Sequence, residues 1–355
     1  SVVMFDDTPA TQIRYINDTE MRATIPALSA GTYKVSVDGH QLNAPQFSVV
    51  SQQAIIPTTW DIAGFPVEMS YDAIDHALYS LDRVNDTLYR IDLTDNSYIS
   101  QSIANASDVT WCPADGHLYV ATGVDFRQYD ATTLEYTKLM AITTVDRLEC
   151  VSENNLVLTS ENQWEYYQLF DSDSSTLISA KNIVGYPAGN LYSPTIDGVS
   201  SKGDRVYFGE SGISTPSRVL FTPHLPTAAN FYGAGTFTTS SWSDDGSLGV
   251  VNNREVYNDT FSLLGTLAIS GKVIATSSVA PDASAIFVVT TDGGVYKIAY
   301  DANNPSDFTN FTSYSLSKDL SNNIVVGNIL RAESSLDGQT LFVGGSTGIE
   351  AISVN

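Results

Sequence analysis

The sequence predicts an all-β protein in which a small N-terminal β domain is followed by a large region of repeated four-stranded units. Three observations support this prediction: short runs of alternating apolar and polar residues, Asp, Asn and Gly turns between the runs, and a repeat of about 40 residues. The chain has 355 residues and 43% of them are hydrophobic, which is ample for a packed core. Because one domain usually spans roughly 100–200 residues, we expect one large domain and one small one.

The first 50 residues form a region of their own, with short alternating strands around a Pro-rich link. The stretch "IPALSAGTYKVSV", residues 25–37, resembles the second half of an IPT/TIG immunoglobulin-like domain, in which a Pro-rich turn and a Gly precede an alternating strand. The resemblance implies a small Ig-like β-sandwich over residues 1–50. The glycine-rich opening of that family is absent, so the domain is either abbreviated or continues from earlier residues of a longer chain.

The repeat is measured from the apolar residue that opens the second strand of each unit, such as Leu118 in "DGHLYVAT". Seven positions share this place: Leu78, Leu118, Leu156, Val206, Leu248, Ile286 and Leu341. Most units continue through a turn into a third and a fourth strand, as in "TLYRIDLT" at 87–94 and "YISQSI" at 98–103. Four strands per unit predict an antiparallel meander, and stacking the meanders radially covers both faces of each.

Closure of a ring is predicted from the two ends of the repeat region. The seventh unit has strands at about 325–333, 340–344 and 348–354 and lacks a fourth, whereas the segment "SQQAIIPTTW", residues 51–60, has no partner before the first unit. We therefore expect residues 51–60 to form the outermost strand of the last unit, where Pro57 suits an edge strand.

Residues 61–355 look like a seven-bladed β-propeller of the broad WD40, NHL and YVTN-like group. The resemblance is carried by "DGHLYVAT" followed by "YDATT", which is similar to the YVTN type, whereas the Gly-His and Trp-Asp signature of true WD40 blades is absent. With the closing strand, the predicted propeller covers residues 51–355. Such a resemblance implies a fold and leaves the function open, because propellers host many unrelated sites.

The only two cysteines, Cys112 and Cys150, each lie six residues before the repeat position of adjacent units. A disulfide between neighbouring inner strands is one interpretation, and two buried thiols that act as small apolar residues are the other. An even pair of cysteines is compatible with an oxidising compartment.

The net charge of the chain restricts the classes of molecule that it can bind. The chain has 40 acidic and 17 basic residues, a net charge of −23, which opposes binding to nucleic acid or to an anionic membrane. No apolar run is long enough to insert into a bilayer. The acidic, Asn-, Ser- and Thr-rich composition favours an extracellular, cell-surface or periplasmic protein, with five sequons at Asn17, Asn85, Asn105, Asn258 and Asn310.

No catalytic constellation is predicted. The histidines at 40, 76, 117 and 224 share no metal-ligand spacing, and "GGSTG" at 344–348 is followed by no His, as a nucleophile elbow would require. The acidic segments 171–175, 243–247 and 301–307 can hold Ca²⁺ through oxygen ligands, but Asp and Asn are also what hairpin turns need. We therefore expect no cofactor, with calcium as the alternative.

A ligand site, if the ring has one, is expected where the inner strands begin, at the mouth of the central channel. The predicted ring of side chains is Glu68, Asp108, Arg147, Tyr192, Thr238 and Arg331, with Tyr186, Phe231, Tyr232 and Phe237 in nearby loops. Aromatic rings beside two arginines and two carboxylates suit a sugar or a peptide. The competing interpretation is that these residues pair with one another and plug the channel.

Two function classes follow. The first is an extracellular or cell-surface binding or adhesion module that recognises a glycan or a protein and belongs to a larger surface protein. The second is a carbohydrate-active enzyme, a polysaccharide lyase or glycoside hydrolase, with its site at the channel mouth. We favour the first, because His is scarce and none falls at a channel-mouth position.

Overall fold

The computed structural model describes the chain over the following ranges: 2–10, 12–15, 21–24, 28–29, 31–41, 47–49, 58–62, 66–112, 116–142, 144–151, 155–159, 163–165, 168–171, 176–179, 191–192, 194–199, 206–210, 217–222, 225–232, 240–243, 246–260, 262–316, 331–335, 337–345 and 347–354. Within these ranges the regular structure is entirely β-strand, as predicted. No helix long and apolar enough to cross a membrane occurs among these residues. The chain divides into two units, Ser1–Ala54 and Ile55–Asn355.

The first unit contains short antiparallel strands. They are β1 (Val3–Phe5), β2 (Thr8–Pro9), β3 (Gln12–Tyr15), β4 (Met21–Thr24), β5 (Gly31–Tyr33), β6 (Val35–Val37), β7 (His40–Gln41) and β8 (Phe47–Val49). One sheet has the order β2-β1-β6-β7, and two further pairs are β3-β4 and β5-β8. Val3 and Phe5 alternate onto the buried side of β1, which gives this small sheet its apolar face.

In the second unit, seven four-stranded antiparallel sheets occur within the described ranges, and we call them blades 1 to 7. Blade 1 has β10 (Pro66–Asp72), β11 (Ala77–Asp82), β12 (Thr87–Asp92) and β13 (Tyr98–Ser102), and blade 2 has β14 (Asp108–Cys112), β15 (His117–Ala121), β16 (Asp125–Tyr129) and β17 (Tyr136–Ile142). Blade 3 has β18 (Arg147–Val151), β19 (Asn155–Thr159), β21 (Gln168–Asp171) and β22 (Thr176–Ser179). A separate two-stranded sheet joins β20 (Gln163–Glu165) to β23 (Leu191–Tyr192).

The remaining blades have the same meander order. Blade 4 has β24 (Pro194–Val199), β25 (Val206–Glu210), β26 (Ser217–Thr222) and β27 (Leu225–Tyr232), and blade 5 has β28 (Ser240–Trp242), β29 (Leu248–Val251), β30 (Glu255–Asn258) and β31 (Leu263–Thr266). Blade 6 has β32 (Ile274–Val279), β33 (Ala285–Thr290), β34 (Gly294–Ala299) and β35 (Phe311–Ser315). Blade 7 has β36 (Arg331–Ser334), β37 (Thr340–Gly345) and β38 (Gly348–Ser353), with β9 (Thr58–Trp60) as its fourth strand.

The first strands of the seven blades contact one another in chain order, and β36 of blade 7 contacts β10 of blade 1, which closes the cycle. The closing strand is the predicted one, because Thr58, Thr59 and Trp60 pair with Ala351, Glu350 and Ile349. Residues 51–57 of that predicted strand, Pro57 among them, lie outside the described ranges. A closed ring of four-stranded meanders is the architecture of a β-propeller.

The core lies between neighbouring blades, and among the described residues the second strands supply more of its buried apolar side chains than the first, third or fourth strands do. Every predicted repeat position lies in the second strand of its blade, and Leu78, Leu118, Leu156, Leu248, Ile286 and Leu341 are fully buried. Val120 and Leu118 of blade 2, for example, pack against Leu81 and Leu88 of blade 1. Full burial of one such side chain contributes about 1.5–3 kcal/mol, so the repeat positions contribute substantially to the packing between blades.

Candidate binding site at the channel mouth

Strand register defines two layers of residues along the first strands, which line the axis of the ring. Glu68, Asp108, Arg147 and Arg331 pair with second-strand residues that each lie three positions after the repeat residue of their own blade. The same register places Thr195, Ser240 and Thr276 at this height in blades 4, 5 and 6. We call these seven positions the mouth layer, because they lie where the first strands begin.

A second layer lies about 6–7 Å deeper, two residues further along each first strand, or three in blade 4, where a β-bulge lies between Ile196 and Gly198. We call it the inner layer, and its members are Ser70, Thr110, Glu149, Gly198, Trp242, Ser278 and Glu333. Because side chains alternate along a strand, residues two apart point to the same side, so charged residues in the mouth layer predict further inward-facing residues here.

The mouth layer is organised around the carboxylate of Glu68. Arg331 donates from Nη2 to Glu68 Oε1 at 2.6 Å, and Arg147 donates from Nη1 to the same oxygen. Burial acts to raise the pKa of Glu68, but the guanidinium groups of Arg331, Arg147 and Arg83 together hold this pKa below its usual value. The side chains of Glu68, Arg147 and Arg331 remain 17%, 19% and 23% exposed, so this ion-pair network is accessible to solvent.

Asp108, on the neighbouring strand, has a different role. Its Oδ2 accepts a hydrogen bond from the Leu148 N–H of blade 3 at 2.9 Å, and its Oδ1 accepts one from the Val109 N–H. Burial and the nearby charge of Glu68 raise the pKa of Asp108 to about 7, although Arg147 opposes the shift. Asp108 therefore joins the inner edges of two blades while it stays close to its protonation midpoint at neutral pH.

Glu149 lies in the inner layer, where Thr110 Oγ1 donates to its Oε2 at 3.3 Å. Burial raises the pKa of Glu149 well above its usual value, and the neighbouring carboxyl groups of Asp108, Glu68 and Glu333 raise it further. The site thus has arginines at the mouth and, one layer deeper, the carboxyl group of Glu149 with its raised pKa. It can bind a polar or charged ligand.

Four of the predicted ring residues, Glu68, Asp108, Arg147 and Arg331, share the mouth layer. Tyr192 was wrongly placed: it lies in β23, paired with Gln163, and Thr195 occupies the mouth position of blade 4 because the inner strand begins at Pro194. Tyr232 and Phe231 lie in the outer strand β27 and not in a loop, with Tyr232 opposite Ser217. Tyr186, Thr238 and Phe237 lie outside the described ranges, and Ser240 holds the mouth position of blade 5.

Sequence reasoning missed Arg83, Glu149 and Glu333. Glu149 and Glu333 follow Arg147 and Arg331 by two residues, so strand alternation would have found them. Arg83 lies in the turn between β11 and β12, and such turns gather at the end of the ring where the first strands begin. No local signal indicated that this turn reaches Glu68.

Cys112 and Cys150 are joined by a disulfide between the first strands of blades 2 and 3, with Cα atoms 5.3 Å apart. Their registers differ by one residue, because Cys112 pairs with His117 and Cys150 with Leu156, the residue at the repeat position. Since a shift of one residue moves a side chain to the opposite face, Cys112 and Cys150 meet in the core between the two blades.

The acidic segments that were candidates for calcium, so far as they lie within the described ranges, have local structural roles. Asp301 accepts from Asn303 N–H and Asp307 from Thr309 N–H, so both stabilise turns of their own segment. The described residues contain no group of three or more His, Cys, Asp and Glu that could hold a metal ion. Asn85, Asn105 and Asn310 are exposed and Asn258 is half-buried, whereas Asn17 lies outside the described ranges.

Comparison with solved structures shows the fold. A chain of a crystal structure of a mitotic checkpoint complex has a TM-score of 0.62 and 14% identity, covering 90% of this chain and 98% of its own. A chain of hydrazine synthase from Kuenenia stuttgartiensis has a TM-score of 0.63 and 11% identity, covering 86% and 99%. These neighbours are WD40-like propeller proteins, so the protein is an all-β propeller built of repeats.

No protein-family model matches the sequence, and no curated protein does. In contrast, 1265 chains of solved structures match its fold. At such low identity a shared fold carries no function, because propellers host many unrelated sites.

Proposed function

We propose that the protein is a non-catalytic binding module of the cell surface or extracellular space, which recognises a glycan or a protein partner at its channel mouth. The observation that carries this proposal is the arrangement of Arg147 and Arg331 around one oxygen of Glu68. These groups come from blades 1, 3 and 7, are fixed by one another and remain partly exposed, so the site is preorganised for a polar ligand.

The disulfide supports the proposed location. Disulfides persist in oxidising compartments such as the periplasm and the extracellular space, and are rare in the cytosol. The net charge of −23 supports a protein or glycan partner over nucleic acid or an inserted membrane segment. Fractionation of the source cells should find the protein outside the cytosol with no titratable thiol; a reduced, cytosolic protein would contradict this location.

We also propose that the first unit is an IPT/TIG-like immunoglobulin domain that links the propeller to other domains of a longer surface protein. The antiparallel sheet β2-β1-β6-β7, with Val3 and Phe5 buried on one side, supports a sandwich that needs a second sheet. Nuclear Overhauser contacts between this sheet and the β5-β8 pair would support the sandwich. Two sheets without such contacts would exclude it.

A carbohydrate-active enzyme is the second candidate, favoured by Asp108 with its pKa of about 7 and by the neighbouring Glu149, whose pKa is also raised. An acid with a pKa near the working pH is what general acid catalysis needs. The binding proposal is supported over it because Asp108 accepts backbone hydrogen bonds from two N–H groups and is buried.

The discriminating experiment passes the protein over glycan and cell-surface protein arrays and analyses the released material. Retention without shortened or unsaturated saccharides is expected for a binding module. Detection of such products, with turnover that disappears in Glu149→Gln, would establish the enzyme instead.

A further inference from the structure

The outer rim of the propeller has the same aromatic arrangement in blades 1, 2 and 6. In each of these blades, the first residue of the outer strand pairs with the third-strand residue that lies opposite the repeat position. These three outer residues are Tyr98, Tyr136 and Phe311. Because directly paired residues point to the same side of a sheet, the three rings face the preceding blade, as the repeat residues of their blades do.

A tyrosine of the third strand holds each outer ring in an edge-to-face contact, with interplanar angles of 68°, 75° and 83°. The distances between ring centroids are 6.1 Å for Tyr89–Tyr98, 5.9 Å for Tyr129–Tyr136 and 5.3 Å for Tyr296–Phe311. An edge-to-face contact covers at most one face of a ring. Tyr98, Tyr136 and Phe311 remain 48%, 57% and 43% exposed, so each ring has a fixed orientation and an accessible surface.

The turns that lead into these three outer strands carry only negative charge. Residues 93–97, 130–135 and 300–310 contain no Lys or Arg, and their acidic residues are Asp95, Asp130, Glu135, Asp301 and Asp307. Hydrogen bonds from the hydroxyl or backbone N–H group of a nearby Ser or Thr lower the pKa values of Asp95, Asp130 and Asp307, so these carboxylates stay ionised at neutral pH. Each accessible ring therefore follows an anionic turn, and the complementary group is a cation.

We propose that the outer rim binds a lysine- or arginine-rich segment of a partner protein, with cationic side chains over Tyr98, Tyr136 and Phe311. The face of an aromatic ring attracts a cation, and the turn carboxylates add to that attraction. A net charge of −23 steers a basic partner toward the molecule and repels a second copy of the chain. Blades 1 and 2 are neighbours, so Tyr98 and Tyr136 can contact the same segment.

This surface is distinct from the channel mouth. The outer strands run antiparallel to the third strands and parallel to the second, so they begin at the end of the ring opposite to the mouth, where the first strands begin. The rim therefore adds a second binding surface to the proposed module, and its test is independent of the mouth residues.

The experiment measures fluorescence polarisation of a labelled peptide in which lysine and serine alternate, at about 20 mM NaCl, where charges are weakly screened. Two further peptides replace every lysine with trimethyllysine or with norleucine. The lysine and trimethyllysine peptides should bind, because both present a cation to the rings. The norleucine peptide should not bind, since it keeps the alkyl chain and loses the charge.

Variants that keep the net charge separate the rings from the general attraction of an acidic protein. Tyr98→Ala, Tyr136→Ala and Phe311→Ala should each weaken binding of the lysine peptide by about 2–5-fold, and the triple variant by about 10–100-fold. Tyr98→Phe keeps the ring and should retain the affinity. Leu263→Ala is the matched control, because Leu263 also begins an outer strand and is 55% exposed but has no ring.

A second pair of variants tests the turn carboxylates. Glu135→Gln removes one negative charge directly before Tyr136, whereas Asp75→Asn removes one from the β10–β11 turn, two strands inward from the rim of blade 1. Both changes lower the net charge equally, so Glu135→Gln should weaken binding of the lysine peptide more than Asp75→Asn does. Equal effects would show that the peptide responds to net charge alone and would overturn the proposal.

Other results would also overturn the proposal. One is unchanged affinity in the triple alanine variant when circular dichroism shows that it is folded. Another is binding of the norleucine peptide as tight as that of the lysine peptide, which would make the rim an apolar docking surface. If xylohexaose, a neutral oligosaccharide, binds the protein and Tyr98→Ala abolishes that binding, the rim is a glycan surface instead. These outcomes concern the rim alone, since retention on the arrays tests the channel mouth.

Discussion

Glu68 and Asp108 lie at the same height on neighbouring strands, yet the pKa values of their carboxyl groups shift in opposite directions. Asp108 is buried and Glu68 is half-buried, and in both the lost hydration disfavours the charged form. Glu68 overcomes this because two guanidinium groups contact one of its oxygens. Asp108 accepts hydrogen bonds from backbone N–H groups, but these do not compensate for its lost hydration. The negative charge of Glu68 nearby raises the pKa of Asp108 further. The charge of the neighbouring groups, and not burial alone, decides in which direction the pKa of each carboxyl group shifts.

The raised pKa of Asp108 predicts a pH dependence of stability. Below about pH 4 the carboxyl is protonated in both the folded and the unfolded state, so no penalty arises. Between about pH 4 and 7 the carboxyl group of Asp108 ionises in the unfolded state but stays largely protonated in the folded state. The free energy of unfolding should therefore fall between about pH 4 and 7, by up to about 4 kcal/mol, and level off above. Urea unfolding at several pH values measures this fall.

Asp108→Asn should flatten this slope, because an amide does not titrate. The variant should also be less stable at pH 5 by about 1–3 kcal/mol, since Leu148 N–H or Val109 N–H loses its acceptor. Asp130→Asn is the control: turn N–H donors lower the pKa of Asp130, so the slope between pH 5 and 7 should remain. An Asp108→Asn curve parallel to that of the original protein would contradict the assignment.

Loss of the Glu68 carboxylate should destabilise the fold. In Glu68→Gln the two arginines lose their shared anion, and we expect a cost of about 1.5–3 kcal/mol in the free energy of unfolding. Lys272→Gln breaks the exposed Lys272–Asp292 pair, which should cost less than the loss of the Glu68 carboxylate because solvent screens exposed ion pairs. Urea midpoints compare the two variants, and equal costs would show that the mouth network has no more structural weight than a surface ion pair.

At the scale of strands, the one-residue offset between β14 and β18 brings the cysteines together. Two cysteines at the same height of adjacent first strands, with side chains between the blades, would both face the same way around the ring, so only one would point into their shared interface. Because Cys112 and Cys150 lie one residue out of phase, Cys112 faces blade 3 while Cys150 faces blade 2. The disulfide therefore closes the same interface that Tyr119, Phe126 and Phe170 fill with aromatic rings.

Removal of the disulfide should cost stability. The bond closes a loop with a sequence separation of 38, for which chain entropy gives about 3–4 kcal/mol. Cys112→Ala/Cys150→Ala should lose about this much, and a reducing agent should lower the stability of the original protein while it leaves the double variant unchanged. If the reduced original protein, in which thiol titration finds two free thiols, keeps its urea midpoint, the disulfide contributes nothing to the free energy of unfolding.

Closure of the ring depends on a close backbone approach at Gly348. A Cβ atom added there would overlap the carbonyl oxygen of Trp60, the last residue of the closing strand β9. Gly348→Ala should therefore displace β9 and cost about 1–3 kcal/mol, as overpacking does. Hydrogen exchange of the blade 7 amides should accelerate. Thr59→Ala, at an exposed position of the same strand, should leave exchange unchanged.

At the scale of the whole molecule, net charge opposes compaction. With 40 acidic and 17 basic residues the folded chain repels itself, and salt screens this repulsion over a Debye length of about 8–10 Å. Raising NaCl from about 10 to about 150 mM at pH 7 should raise Tm. Near the isoelectric point of 4.2 the same change should have little effect. A Tm insensitive to NaCl at pH 7 would show that repulsion is unimportant.

The repeat and the closing strand were determined by the sequence itself. Leu118 and its six equivalents mark the second strands because a buried strand needs apolar residues at fixed intervals, and turns of Asp, Asn and Gly are set by local backbone chemistry. The pairing of residues 58–60 with blade 7 followed from counting strands, since an open sheet edge needs a partner. The mouth positions of Glu68, Asp108, Arg147 and Arg331 came from the same count.

Only the tertiary structure decided which of these residues interact. Glu68 and Arg331 are 263 residues apart, and their contact exists because the ring closes. Strand register and distances across blades likewise decide that Arg83 acts on Glu68, that the pKa of Glu149 is raised and that Tyr192 does not belong to the mouth layer. Patterns along the chain report hydrophobic periodicity and turns, which are local. Charge compensation and burial depend on groups that come together only when the blades assemble.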